Sequence, residues 1–334
     1  MDASPPFQRE PKEKISHAAK VAEEKSREKG KVQKISGQSS TAPNLKLTGD
    51  PKGKKKANTA PLRRPTIPFR PTDKILLIGE GNFSFARALV ESPPADLRFL
   101  PPTNVTATAY DTEKECCEKY PEAGPIISFL RTKGVEVIFG VDGTRLEKHH
   151  ALKGRKWNRI CWNFPHAGKG IADQDRNILS NQVLILGFYR SADKMLQLGP
   201  TPSFTPTRRK KAGSDDESED VAASDIDHED GNDAARFLQT SGMETRGTVL
   251  ITLRNVSPYT EWEIPRLAKN PPDNSGTTPP NPRYILLRSF RFHRDIWSGY
   301  EHRMTKGERA YGKGRTGEGG EDRTWEFCLR DEDL

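Results

Sequence analysis

The sequence predicts an α/β fold with a mostly parallel β-sheet. Short aliphatic runs alternate along the chain with segments of helical periodicity, which is typical of consecutive β-α units. The first run, Ile75–Ile78, is apolar at every position, as expected of a parallel strand buried on both faces. The last two runs are not separated by a helical segment, so we expect the sheet to end in an antiparallel edge hairpin.

The individual elements follow from these periodicities and from the positions of proline and glycine. Strands are predicted at Ile75–Ile78, Val105–Tyr110, Val135–Phe139, Arg159–Phe164, Gly247–Leu253, Tyr284–Arg291 and Thr324–Leu329. Helices are predicted at about Ser84–Val90, Glu113–Tyr120, Ile126–Lys133, Asp175–Leu198 and Pro258–Lys269. Gly134 is expected to end the third helix as a C-cap.

Two segments differ in composition from the rest of the chain, one before the predicted domain and one within it. Residues 1–70 are rich in Lys, Ser and Pro and poor in aromatic residues, so we expect a disordered basic tail. Residues from about 200 to 241 contain a basic cluster followed by an acidic run, which predicts a disordered acidic insertion. The folded domain is therefore expected over residues 71–334, interrupted by that insertion.

Composition also limits the partners. The formal net charge of +8 favours an anionic partner, usually a nucleic acid, although a solvated basic surface without a partner has the same composition. The four cysteines lack metal-ligand spacing, so we expect reduced thiols and no metal site. No apolar run approaches the length of a membrane span and no hydrophobic signal region begins the chain, so neither membrane insertion nor secretion is expected.

The stretch Gly79-Glu80-Gly81-Asn82-Phe83-Ser84 joins the first strand to the first helix. Its glycines let backbone N–H groups approach a ligand closely, and the helix N-terminus favours negative charge. Such a junction is typical of sites for nucleotide-like cofactors. Two glycines alone are also compatible with a simple tight turn, so the interpretation depends on other residues.

Acidic residues follow the next two strands. A carboxylate at Asp111 can accept hydrogen bonds from both hydroxyls of a ribose, and Asp142 is expected to accept one from an adenine amino group. A second acid suits S-adenosylmethionine better than NAD. The missing third glycine and the terminal hairpin likewise favour a methyltransferase-type Rossmann sheet over a dinucleotide-binding one. The alternative is that both aspartates only form turns.

The fourth strand ends in Asn163-Phe164-Pro165-His166. This sequence is similar to the Asn/Asp-Pro-Pro-aromatic tetrapeptide of amino-methylating enzymes. There a side-chain amide and a backbone carbonyl orient a planar nitrogen, the proline fixes the turn, and an aromatic ring stacks on the base. Phe164 or His166 would supply that ring. A strand end that contains proline is also common without such a function, and a lone loop histidine is often merely exposed.

A cluster of aromatic and basic residues lies near the C-terminus. Its members are Phe290, Arg291, Phe292, His293, Arg294, Trp297, Tyr300, His302 and Arg303. Stacking rings interleaved with cations suit a single-stranded or flipped-out RNA base. The apolar members are equally compatible with the core of the sheet.

Taken together, four segments resemble the Rossmann-like family of large-subunit ribosomal RNA uracil-N3 methyltransferases. They are Ile75–Phe85, Ala107–Asp111, Gly140–Thr144 and Trp162–His166. The resemblance covers about residues 74–330 apart from the insertion. It implies an S-adenosylmethionine-dependent enzyme that methylates N3 of one uridine in 25S/28S-type rRNA. It also implies a nucleolar location and ribosomal RNA or a pre-60S particle as partner, while the oligomeric state stays open.

This interpretation gives each predicted site residue a role. The cofactor site is predicted at Gly79, Glu80, Gly81, Asn82, Phe83, Ser84, Asp111 and Asp142, and the catalytic residues at Asn163, Phe164, Pro165 and His166. Uracil N3 carries an imide proton and no free lone pair, so that proton must be removed before the methyl group is accepted. We expect Asn163 to orient the imide and His166 to accept the proton, while Glu80 has no role that its spacing explains.

Three alternatives stay open. The chain would be a ribosome-assembly factor that binds RNA and retains the fold without catalysis, a methyltransferase acting on another RNA nitrogen, or an NAD-linked oxidoreductase. The presence of Gly79, Gly81, Asp111 and Asp142 argues against the loss of a cofactor site. The missing third glycine and the basic charge argue against NAD.

Overall fold

The computed structural model describes residues 64–202, 245–273, 280–304 and 320–331. The predictions for residues 1–63 and for the acidic insertion therefore lie outside the described residues. Within the range predicted as the tail, Phe69 is only 5% exposed and packs against Phe85 and Trp297, with ring centroids 6.4 and 6.1 Å away. The packed domain thus begins before residue 71, because this ring fills part of the core.

Seven strands form one sheet in the order β3-β2-β1-β4-β5-β7-β6. They are β1 (Ile75–Ile78), β2 (Val105–Thr108), β3 (Glu136–Ile138), β4 (Arg159–Asn163), β5 (Thr248–Arg254), β6 (Tyr284–Arg291) and β7 (Asp322–Leu329). The first five pair in parallel, and β7 is antiparallel to both β5 and β6. The mostly parallel α/β sheet and its antiparallel hairpin at the edge are therefore confirmed.

Five α-helices connect the described strands. They are α1 (Ser84–Glu91), α2 (Glu113–Lys119), α3 (Ala123–Lys133), α4 (Gln174–Ala192) and α5 (Ile264–Lys269). α3 begins earlier than predicted because Pro125 falls in its first turn, where a missing N–H is tolerated. Gly134 ends α3 with a φ of 91°, as predicted. None of the helices in the described part of the chain is long and apolar enough to cross a membrane.

The prediction of one continuous helix over Pro258–Lys269 is wrong. The structure divides it into a short 3₁₀ helix, Tyr259–Trp262, and α5. Glu263 lies between them with a φ of 51°, a left-handed conformation that interrupts right-handed helix. The predicted long helix ending at Leu198 is also shorter, because α4 ends at Ala192 and a 3₁₀ turn follows.

The sheet has a hydrophobic core on each face. Ile75 and Leu77 belong to one core with rings from α1 and the C-terminal cluster, whereas Leu76 and Ile78 belong to the other with rings from α4. Alternate side chains of β1 thus point to opposite faces, and both faces are covered. With both faces covered, a ligand of the sheet is expected at the carboxyl ends of the parallel strands, where open α/β sheets bind ligands.

A buried ionic network joins the strands of the hairpin to the parallel sheet. The Glu326 carboxylate accepts hydrogen bonds from Arg288 Nε at 2.7 Å and Thr248 Oγ1 at 2.8 Å. Its other cationic neighbour, Arg159, also pairs with Asp73 at 3.2 Å. Burial by itself raises the pKa of Glu326, but Arg288 and Arg159 hold it below its ordinary value. Glu326 therefore links β7 to β4 and β6 by ion pairs and to β5 by a hydrogen bond, in addition to the backbone pairing of β7 with β5 and β6.

Candidate active site

A cavity of ≈ 1170 Å³ opens at the carboxyl ends of β1, β2 and β4. This is the edge at which open α/β sheets bind ligands. The predicted residues that line it are Gly79, Glu80, Gly81, Asn82, Ser84, Asp111, Asp142, Asn163, Phe164 and His166. Two predicted residues do not line it. Pro165 is buried, and the Phe83 ring is fully buried against Phe139 at 5.5 Å, so Phe83 contributes to the core and not to the cavity wall.

The indole ring of Trp162 leaves no room for a side chain at two glycines of this edge. A Cβ atom on Gly79 would lie 2.8 Å from Trp162 Nε1, and one on Gly143 would lie 2.9 Å from the same indole ring. Gly79 also has a φ of 65°, a conformation that other residues rarely adopt. The indole further packs edge-on against Phe188 of α4, at 4.9 Å. Close contact at these two glycines is therefore made by a side chain of the protein itself.

The other half of the glycine turn contacts the 299–304 segment. Ser84 Oγ donates to the carbonyl of Glu301 at 3.0 Å, and a Cβ on Gly81 would lie 3.4 Å from Arg303. Asn82 donates to Glu122 at 2.9 Å, and Glu122 also pairs with Arg303 at 2.7 Å. The side chains of Asn82 and Ser84 thus hold a distant segment in place as part of the cavity wall.

Glu80 caps α1. Its carboxylate accepts a hydrogen bond from the Ala86 N–H at 3.2 Å, and the Phe85 N–H is a second donor. Phe83, the residue at the N-cap position, makes no side-chain cap. Burial raises the pKa of Glu80 to about 7, although these two N–H groups oppose the rise. The residue that the sequence pattern left without a role therefore satisfies the open N–H groups of the helix.

Asp111 and Asp142 both line the cavity but differ in their contacts. Asp111 pairs with Lys119 of α2 at 2.6 Å, and 22% of its side chain is exposed. One oxygen of Asp142 accepts from the backbone N–H of Thr144 at 2.8 Å and from its hydroxyl at 2.7 Å. Asp142 therefore forms a turn, as the alternative interpretation held, and at the same time borders the cavity.

The end of β4 presents an amide and a ring. Asn163 Oδ1 lies 3.5 Å from the Cys161 thiol, which donates to it. Phe164 has a φ of 53°. Its ring lies 4.3 Å from His302 and has the Arg294 guanidinium 4.9 Å from its centroid. Other side chains thus already contact the ring that was predicted to stack on a base.

His166 is exposed and borders the same cavity. Its Nδ1 accepts a hydrogen bond from the Gly168 N–H at 2.9 Å. A neutral imidazole that accepts at Nδ1 carries its proton on Nε2. In this arrangement Nδ1 takes up a proton only if the bond to Gly168 is given up.

Among the cavity residues that were not predicted as parts of the cofactor or catalytic site, three lie next to predicted ones. Tyr110, 73% exposed, directly precedes Asp111, and Lys119 pairs with that aspartate. His302 is the third, and burial together with Arg294 and Arg254 lowers its pKa to about 4. His302 was present in the aromatic-basic cluster, but its distance of 138 residues from Phe164 in the sequence (302 − 164) gave no signal that the two rings meet.

The aromatic-basic cluster divides between core and cavity. Phe290, Phe292 and Trp297 are buried in the core around Phe85, so of the two interpretations of these rings the sheet core holds. His302 and Arg303 line the cavity instead. The four cysteines are free, and among the described residues no group of three or more acidic, His or Cys side chains is arranged to hold a metal ion.

Several known proteins are similar to this chain in sequence. The chain is 29% identical over 263 residues to the 25S rRNA (uridine(2634)-N(3))-methyltransferase of Saccharomyces cerevisiae, which is 73% of this chain and 69% of the yeast protein. It is 36% identical over 132 residues to an uncharacterised protein of Arabidopsis thaliana, which covers 39% of this chain and 60% of that protein. The mouse homologue of ferredoxin-fold anticodon-binding domain-containing protein 1 is 36% identical over 127 residues, which is 38% of this chain but only 18% of the mouse protein.

A family model extends over more of the chain than the two shorter matches. The model described as rRNA (uridine-N3-)-methyltransferase, BMT5-like, matches residues 76–304, which include the cavity residues Asp111 and Asp142, the end of β4 and the 299–304 segment. The motifs quoted above lie within that match from residue 76 onward, and β7 lies beyond it. The chain belongs to the BMT5-like family of rRNA (uridine-N3-)-methyltransferases.

Proposed function

We propose that this protein transfers the methyl group of S-adenosylmethionine to N3 of a uridine in large-subunit ribosomal RNA. The observation that carries the proposal is the shared cavity. The glycine turn, Asp111 and Asp142 border the same space as Asn163 and Phe164. Cofactor and acceptor residues that share one space are what direct transfer between two bound molecules requires.

The residues of the glycine-turn end fit S-adenosylmethionine. Asp111 keeps a partly exposed carboxylate at the end of β2, suited to the two ribose hydroxyls, and Asp142 borders the same cavity and is proposed to accept from the adenine amino group. The backbone of Gly79 and Gly81 borders the methionine end. When bound, the cofactor supplies a methyl group that is already activated on a sulfonium, so the protein mainly orients the two reactants.

Asn163 and His166 are the proposed acceptor-side residues. The Asn163 amide is suited to hydrogen bonding with the imide edge of uracil, which carries both donor and acceptor groups. His166 stays the predicted proton acceptor. Because its Nδ1 accepts from Gly168, the ring must turn before it can take the imide proton.

Four cations at the cavity suit the phosphates of RNA. Arg145, Lys148, Lys169 and Arg190 line the cavity, and none of them forms an ion pair with another described residue. Lys119 and Arg303, in contrast, are neutralised by Asp111 and Glu122. Unpaired cations beside a substrate site attract a polyanion. These cations support ribosomal RNA or a pre-60S particle as the proposed partner, and the rRNA substrate in the name of the yeast relative supports the nucleolus as the proposed place of action.

Mass spectrometry of rRNA nucleosides from cells with and without the gene tests the proposal. Loss of one 3-methyluridine in the large-subunit rRNA is the expected result, restored by the wild-type gene and not by a gene carrying Asp111→Ala. Calorimetry with S-adenosylmethionine tests the assembly-factor alternative. Unchanged rRNA modification together with no cofactor binding would favour that alternative.

A further inference from the structure

Glu80 places a carboxylate in the wall of the cavity, within the glycine turn itself. The residue stands between Gly79 and Gly81, lines the cavity and is half-buried. Its carboxylate accepts from the Ala86 N–H at 3.2 Å, and the Phe85 N–H is its second donor. These contacts cap the helix, but the amide oxygen of a glutamine could accept both of them. The cap therefore explains an oxygen at this position and leaves the negative charge unexplained.

No cation in the described part of the chain pairs with this carboxylate. Only burial and the two N–H donors act on the pKa of Glu80, and burial raises it to about 7. Asp111, which lines the same cavity, is in contrast paired with Lys119 at 2.6 Å. Ionising a carboxylate that is held away from water and lacks a cation costs free energy. A ligand that brings its own positive charge removes that cost.

The carboxylate lies where the cofactor and acceptor halves of the cavity meet. The ring of Tyr300, another cavity residue, packs edge-on against Phe85 at 5.4 Å. On β4, the Cys161 thiol donates to the Asn163 amide at 3.5 Å. Burial raises the pKa of both Tyr300 and Cys161, and the nearby charge of Glu80 adds to each rise. Both groups therefore stay neutral, and Glu80 carries the charge that faces this junction.

A bound methyl donor brings a positive charge to the same junction. Direct transfer needs the reacting atoms about 3–3.5 Å apart, so the sulfur of the donor must lie between the glycine turn and the acceptor residues. This sulfur is a cation in S-adenosylmethionine and a neutral thioether in the product, S-adenosylhomocysteine. A carboxylate beside it thus distinguishes the donor from the product by charge.

We propose that Glu80 is the counter-ion of the donor sulfonium and makes the cavity prefer S-adenosylmethionine to S-adenosylhomocysteine. The inference rests on the proposed function. An opposite charge within about 4–6 Å lowers the pKa of a carboxylate by about 1–3. The donor therefore favours the ionised form of Glu80, and by linkage the ionised form binds the donor more tightly. The product lacks this attraction, so it is released more readily after transfer.

Calorimetry of Glu80→Gln with the two molecules tests the counter-ion. The variant keeps an oxygen for the Ala86 N–H and loses the charge. At about pH 8 its affinity for S-adenosylmethionine is expected to fall about 10-fold, while its affinity for S-adenosylhomocysteine stays unchanged. Glu118→Gln, at an exposed acid of α2 outside the cavity, is the matched control. An equal change of both affinities overturns the inference, and a wild type that binds neither molecule overturns the proposed function with it.

Carboxyl NMR of the wild type tests the same charge without a variant and without RNA. The pKa of Glu80, about 7 in the free protein, is expected to be about one lower with S-adenosylmethionine than with S-adenosylhomocysteine. Both molecules displace the same water and carry the same amino-acid group, so the comparison isolates the charge at sulfur. A pKa that is equal with both molecules would reduce Glu80 to a helix cap, while binding of both would leave the proposed function standing.

Discussion

Ser84 and Glu301 exchange two hydrogen bonds across 217 residues of sequence. The Ser84 hydroxyl donates to the Glu301 carbonyl at 3.0 Å and accepts from the Glu301 N–H at 3.1 Å. Tyr120 adds a third bond to this segment by donating to the carbonyl of Met304 at 2.7 Å. The 299–304 segment, which carries His302, is thus positioned by the glycine turn itself. The cofactor and acceptor sides of the cavity therefore share one set of contacts.

Ser84→Ala is expected to lower both the affinity for the cofactor and the rate of methyl transfer. The variant lacks the hydroxyl that donates to the Glu301 carbonyl and accepts from the Glu301 N–H. Leaving these two part-buried main-chain groups without that partner costs about 1–3 kcal/mol of stability. We expect cofactor affinity to fall about 10-fold and the rate of methyl transfer to fall with it. Calorimetry and single-turnover kinetics measure the two effects. Ser128→Ala, at an exposed serine of α3, is the control, and equal behaviour of the two variants would contradict this coupling.

Asp111→Ala tests the ribose contact. A carboxylate that accepts two hydroxyl hydrogen bonds contributes about 1.5–3 kcal/mol for each bond, so cofactor binding is expected to fall below detection at micromolar concentrations. Lys119→Gln removes the ion pair but retains the carboxylate, and we expect it to weaken binding much less. Normal affinity of Asp111→Ala by calorimetry would refute the assignment.

Glu80 predicts how stability depends on pH. Its pKa rises from 4.5 to about 7 in the folded protein, so the folded state binds this proton more tightly than the unfolded state. Stability from this group is fully present below about pH 4.5 and is lost as the pH rises towards 7. Glu80→Gln keeps an oxygen that can accept from Ala86, so chemical denaturation of this variant should show a smaller fall in unfolding free energy over that range. If the unfolding free energy of the variant and of the wild type fell equally with pH, Glu80 would not be the source of the pH dependence.

The features that could be predicted from the sequence are those that depend on residues close together in the chain. The strand β1, the helix α1 and the acids after β2 and β3 follow from residues that are neighbours in the chain, and all lie where expected. The contacts between Ser84 and Glu301 or between Phe164 and His302 depend on the path of β6 and the segment after it, which no local period encodes. The contact of Trp162 with Gly79 joins two strands of the sheet, and for the same reason no local period predicts it.

Gly143→Ala tests that packing. The added Cβ would lie 2.9 Å from the Trp162 ring and 3.1 Å from Ile78, so the indole must shift at a cost of about 1–3 kcal/mol. Thermal unfolding should show a lower Tm for this variant. Trp162→Phe removes much of the ring, and adding Gly143→Ala to it should cost less than adding it to the wild type. Strictly additive effects would show that the two positions do not meet.

Glu326 is expected to be the most sensitive position of the sheet outside the cavity. Its carboxylate is fully buried between Arg288 and Arg159, and removing it leaves both guanidinium groups without that charge. Breaking a buried pair in this way costs about 3–5 kcal/mol, so Glu326→Ala should lower the free energy of unfolding by that amount. Replacing Glu326 by Leu together with Arg288 by Met exchanges a charge pair for apolar contact and should recover part of the loss. Denaturant unfolding measures both variants, and a Glu326→Ala protein as stable as the wild type would mean that the network contributes nothing to the fold.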